Sequence, residues 1–292
     1  MSLLKRLLSE SKSNELPIGK IEGVVGGTKN AVKVAALSLL GLLMFCVSTN
    51  GSRVQAVLPD LTEKQESVQS PVANGITREN IISKLHNGDE NLRAFQEELS
   101  KYADDDYKEL SELAKKYFGC SEVEIVHNPN LAKKWLINWY KLQCVFPYLG
   151  RDVKLVRSTD TYLDGRRDVV AETLGDEITF YRALENQDVC DWLAEQNLYV
   201  KGPTCEYTIV HELGHVLDLV KLSCKSFNLV KSVSAKYKST FKEEVRKMSQ
   251  YAATAAEYIQ PFEIFAEALV DVCTWGDDAS DIAKEIITSL VE

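Results

Sequence analysis

Two histidines and a glutamate stand together in the stretch TIVHELGHVLDLV, Thr208 to Val220, of a 292-residue chain that holds only four histidines. His211 and His215 are four residues apart, so on a helix their rings lie one above the other and aim at one spot. Glu212 sits beside that spot. On a helix this H-E-x-x-H spacing binds zinc through both imidazoles and places the carboxylate as a general base. The bland alternative is a pair of core histidines bonded to backbone carbonyls. The flanking Ile209, Val210, Leu213, Val216, Leu217 and Leu219 weigh against it, because two imidazoles and a carboxylate among such neighbours are costly to bury unless paired or metal-bound. Gly214 costs the helix about 1 kcal/mol relative to alanine, but its missing side chain lets another element approach closely.

Two histidines leave a catalytic zinc site one protein ligand short, since such a site takes three and keeps one position open. Lys221 stands six residues after His215, where a metzincin would place its third ligand. Asp218 lies three residues after His215 and would have to fold back along its own helix. A role in supporting a ligand or capping a helix suits it better. Downstream, QPFEIFAEALVDV offers Pro261 for the first turn of a helix, with Glu263 and Glu267 on one face among Phe262, Ile264, Phe265, Ala266 and Leu269. Two carboxylates in that setting require a cation or donors. The expected arrangement is one zinc per chain on His211, His215 and Glu263, with Glu267 accepting a histidine N–H and fixing its tautomer.

HELGH followed by EIFAEA resembles the gluzincin pattern of the anthrax-lethal-factor-like metallopeptidases, a group that includes the secreted Pro-Pro endopeptidases. The resemblance covers roughly Asp152 to Thr274 and implies a zincin-like fold and peptide hydrolysis. In that family the first glutamate of E-x-F-A-E-A is the third zinc ligand, which matches Glu263. A tyrosine seven residues earlier stabilises the oxyanion there, and in this chain Ala256 holds that position. SQYAATAAEYIQPFE recovers the spacing if five residues are inserted around Ala255 to Ile259. That assigns the role to Tyr251, with Tyr258 as the substitute. The expected function is a zinc endopeptidase with Glu212 as general base. The displaced tyrosine keeps open a catalytically weak or inactive zincin-like binding or assembly module of a phage or mobile element. A third reading is a helical structural domain in which the motif is accidental.

These residues need elements to hold them, and the rest of the sequence supplies an order. Hydrophobic content of 45% and charged content of 26% are those of a globular chain with a real core. A net charge of −9 without a basic stripe argues against a nucleic-acid partner, and a protein or peptide substrate is what the resemblance implies. Residues 1–57 differ from the rest. The uncharged run Val34 to Val47 suits a signal-peptide h-region, with Val54 to Ala56 at the cut, an uncleaved membrane anchor, or a peripheral or buried helix. A secreted or extracytoplasmic location, with membrane contact through 34–47, follows from the first two. Residues 58–75 read as a polar linker and 76–150 as a helical N-terminal region. Two helices are expected across 76–119, broken at Asn87-Gly88 and stopped by Gly119. Trp135, Leu136 and Trp139 should face inward from a further helix, and His86 and His127 read as surface or loop histidines. From 151 to 292 a zincin-like catalytic domain is expected. SEVEIVHN and DVKLVRS are strands, and DVVAETLGDEITFYRA is two strands around Gly175-Asp176. The fold class is therefore α+β, mostly helical, with a small sheet before the H-E-x-x-H helix. An edge strand there would let an extended peptide add by main-chain hydrogen bonds. Beyond Cys46 the six cysteines show no C-x-x-C and are expected to be buried thiols.

Overall fold

The structure, a computed structural model, describes residues 72–163, 169–195, 204–222 and 224–291. The apolar run 34–47 and most of the 58–75 linker lie outside the described residues. Among those described, no helix is long and apolar enough to cross a membrane. Residues from 72 onward belong to one compact unit.

The chain is mostly helical with one small mixed sheet, as its sequence pattern implied. Three helices open it: α1 (Ile81–Asn87), α2 (Leu92–Leu99) and α3 (Tyr107–Phe118). The sequence reading had two here. The second break falls at Ser100 to Asp106, where Asp106 Oδ2 accepts a hydrogen bond from the Ala103 N–H at 2.8 Å and turns the chain into α3. Apolar spacing runs through that turn unaltered, so periodicity does not reveal it. Gly119 ends α3 with φ +77°, the left-handed conformation that glycine adopts without a Cβ penalty.

Helix α4 (Ala132–Val145) buries Trp135, Leu136 and Trp139 completely. It packs against α1, α2 and α3, and against the histidine helix. A short turn, α5 (Leu149–Asp152), leads into the sheet. The strands are β1 (Glu122–Val123), β2 (Leu155–Ser158), β3 (Ala171–Leu174) and β4 (Glu177–Phe180), in the order β1-β2-β4-β3. The first three of that order run parallel, and β3 pairs antiparallel with β4 around Gly175, whose φ is +69°. Among the described residues, strand β3 is thus an edge.

After α6 (Gln187–Glu195) a 3₁₀ turn at Thr204–Tyr207 leads into α7 (Thr208–Val216). Five further helices follow: α8 (Ser226–Tyr237), α9 (Phe241–Arg246), α10 (Gln250–Glu257), α11 (Pro261–Trp275) and α12 (Asp281–Thr288). Helix α11 is the hub, buried at every position from Ile264 to Cys273 and packed on α1, α7, α8, α10 and α12. His86, expected at the surface or on a loop, is half-buried in the last turn of α1, and its Nδ1 approaches the Cys273 carbonyl of α11 at 3.0 Å. His127 is exposed and stacks on Tyr107.

Candidate metal centre

Helix α7 is fixed at both ends. At its start, Trp135 Nε1 donates to the Cys205 carbonyl and Asn138 Nδ2 to the Glu206 carbonyl, both at 2.8 Å. At its end a π-helical turn, Leu217–Lys221, closes it, and Lys221 reaches away to Asp152 at 3.1 Å. Across from it, Pro261 begins α11 and puts Glu263 in the first turn. Gly214 is where the two helices meet. A Cβ built there would stand 3.1 Å from Leu269 Cδ1 and 3.3 Å from Ala266 Cα. That close approach brings the glutamate face of α11 against the histidine face of α7.

His211 Nε2, His215 Nε2 and Glu263 Oε2 converge. The nitrogens are 3.1 Å apart, and the carboxylate oxygen is 3.2 Å from His211 Nε2 and 3.4 Å from His215 Nε2. Among the described residues these three form a group able to hold a metal ion. Glu267, only 1% exposed, places Oε1 2.9 Å from His211 Nδ1. The carboxylate can only accept, so Nδ1 carries the hydrogen and Nε2 of the neutral ring presents a lone pair. That lone pair meets a second imidazole nitrogen and a carboxylate oxygen. Glu263 Oε2 is buried without a hydrogen bond, and so is Glu267 Oε2.

Electrostatics point the same way. Burial alone would lower the pKa of His211, but its contacts with Glu263 and Glu267 raise it well above the ordinary value. Burial would raise that of Glu263, and the His215 and His211 rings instead hold it well below the carboxylate range. The cluster favours positive charge between its members. Zinc with ligands at about 2.0–2.1 Å in a tetrahedron has ligand atoms about 3.3–3.4 Å apart, and the three distances fit. No family model, curated protein or solved structure matches the chain.

Glu212 is buried beside the triad, and its Oε2 accepts from the Thr173 hydroxyl of β3 at 2.6 Å. Together with His211, Tyr251, Ala171 and Glu267 it lines a cleft between α7, α11 and the sheet edge. The Tyr251 ring stands 5.9 Å from that of His211, centroid to centroid. Tyr251 occupies the first turn of α10, a helix capped by Ser249 Oγ accepting from the Ala252 N–H at 2.8 Å. Tyr258 lies at the other end, 57% exposed. Asp218 stands within electrostatic reach of the His215 ring. Its carboxylate takes the Ser226 N–H at 2.9 Å and hydroxyl at 2.5 Å, fixing the start of α8.

Sequence reasoning missed Thr173. The available signal was period two. Position 173 alternates with solvent-facing Leu174 on a strand that packs on the histidine helix, so it belongs to the inner face.

Proposed function

We propose that the chain is a zinc-dependent endopeptidase of the gluzincin type, its zincin-like fold extending to the helices of 76–150 that share the core. The observation carrying this reading is the set of three facing ligand atoms, 3.1 to 3.4 Å apart, with a buried carboxylate next to them. His211, His215 and Glu263 would hold the ion and leave one position open for water or substrate. Zinc supplies Lewis acidity, polarising a carbonyl and lowering the pKa of water toward about 7.

The protein's own groups do the rest. Glu267 keeps His211 in the tautomer that presents Nε2. Glu212 takes a proton from the attacking water and returns it to the leaving amine. The Tyr251 hydroxyl donates to the oxyanion that develops on the scissile carbonyl. An extended peptide adds to the edge strand β3 through main-chain hydrogen bonds, which brings its backbone past the cleft beside Ala171.

The test is a peptide-library digest read by mass spectrometry, with elemental analysis of the same preparation. One zinc per chain and cleavage abolished by Glu212→Ala are expected. Stoichiometric zinc with full biological effect in Glu212→Ala would instead identify a binding or assembly module, and absence of zinc would leave the motif without a metal role.

A further inference from the structure

Glu212 must present one carboxylate oxygen to water, yet its side chain turns about three torsions. Among the described residues, the group that hydrogen-bonds this carboxylate is the Thr173 hydroxyl, 2.6 Å from Oε2. The same hydroxyl lies 3.3 Å from the Glu212 backbone carbonyl. A hydroxyl has one hydrogen to give, and the shorter contact, to a charged acceptor, is the stronger. The longer contact places the hydroxyl over the Glu212 backbone, so both ends of the residue are referred to one atom of β3. The bond spans 39 positions and ties the sheet edge to the histidine helix.

Resting on the peptidase reading above, we infer that Thr173 is a positioning residue for the general base. It holds Oε2 and so reserves Oε1 as the oxygen that takes the proton from water and hands it to the amine. No proton passes through Thr173. When Oε1 carries the proton, Oε2 is the carbonyl oxygen of a neutral acid and still accepts from the threonine, so the carboxyl group keeps its orientation between the two transfers. Because Thr173 lies on the edge strand, the side chain that aims the base sits on the element offered to the peptide.

Thr173→Val keeps the shape and β-branching of the side chain and removes the donor, while Thr173→Ser keeps the donor. Without that donor the carboxylate is free to turn, and misorienting the base costs about tenfold or more in rate. Thr173→Val is expected to lower kcat by about tenfold with KM and zinc content little changed, and Thr173→Ser to recover to within about threefold of wild type. A readout independent of turnover comes from denaturation of the metal-free protein. The stability losses of Thr173→Val and Glu212→Ala should be non-additive in the double variant. Wild-type kcat in Thr173→Val, additive stability losses, a serine variant no better than the valine one, or loss of zinc in parallel with activity would each overturn the inference while leaving the peptidase reading in place. A wild-type protein that cleaves no peptide would overturn both.

Discussion

Replacing Glu263, Glu267 and Asp218 one at a time by their amides separates ligand, support and cap. Each variant removes one negative charge near the same pair of histidines, so a simple charge effect predicts similar losses of zinc affinity. The geometry predicts a steep order. Glu263 Oε2 is one corner of the triad, at 3.2 and 3.4 Å from the two nitrogens. Glu263→Gln reduces the protein ligands from three to two, because a neutral amide oxygen is a poor zinc donor. Glu267 acts at one remove, through the 2.9 Å contact to His211 Nδ1. Loss of such an outer carboxylate typically weakens metal binding about 10–100-fold, which is about 1.4–2.7 kcal/mol. Glu263→Gln should therefore weaken binding by more than about 100-fold. Asp218 spends both oxygens on Ser226, so Asp218→Asn should change affinity by less than about threefold and cost instead about 1 kcal/mol of stability as a lost cap. Metal-free protein titrated with zinc against a chromophoric chelator at fixed pH measures all three. A larger loss in Asp218→Asn than in Glu263→Gln would refute the ligand assignment, and equal losses in all three would reduce the effect to charge.

Three further outcomes follow from the same geometry. Tyr251→Phe should lower kcat by at least about tenfold at unchanged zinc content, as for one lost oxyanion donor, and Tyr258→Phe should do less, since that ring is largely exposed at the far end of α10. A larger loss at Tyr258 in steady-state assays would exchange their roles. Gly214→Ala gains about 1 kcal/mol of helix propensity but drives a methyl to 3.3 Å from the Ala266 Cα, which as backbone cannot give way. Overpacking of about 1–3 kcal/mol should prevail, lowering the urea midpoint and, by spreading α7 from α11, the zinc affinity as well; a raised midpoint would refute the close contact. Ile259→Gly should raise stability by about 0.5–1 kcal/mol, because a β-branched residue there holds φ +56° with its side chain 80% exposed; an unchanged or lowered midpoint in denaturant would show that the strain is absent or already compensated.

Local chemistry was legible in the sequence, and contacts between distant segments were not. The H-E-x-x-H helix, the start of α11 at Pro261 and the hairpin at Gly175 are each specified within a few residues, so spacing and turn chemistry find them. His86 and Thr173 illustrate the opposite limit. Their partners, the Cys273 carbonyl and Glu212, lie 187 and 39 positions away, and nothing next to either residue marks it.

Tyr251 falls between these cases. Spacing found it only through an inferred five-residue insertion, and the local structure shows how a tyrosine so far from Glu263 reaches the cleft. Between the two lie the rest of α10 and the corner that follows it. There the Tyr258 N–H bonds to the Thr254 carbonyl at 3.2 Å and the Gln260 N–H to the Ala255 carbonyl at 2.9 Å. Those bonds close the helix around Ile259 in the left-handed conformation normally given to glycine. The chain then turns directly into Pro261, and α10 packs on α11. That tight reversal keeps the beginning of α10, not its end, beside the His211 ring. Tyr258 and Ile259 project at the exposed corner, while the tyrosine twelve residues before Glu263 lines the cleft. Distance counted along the chain does not place this side chain, because its position is set by a helical arm and by a turn that an isoleucine holds at φ +56°.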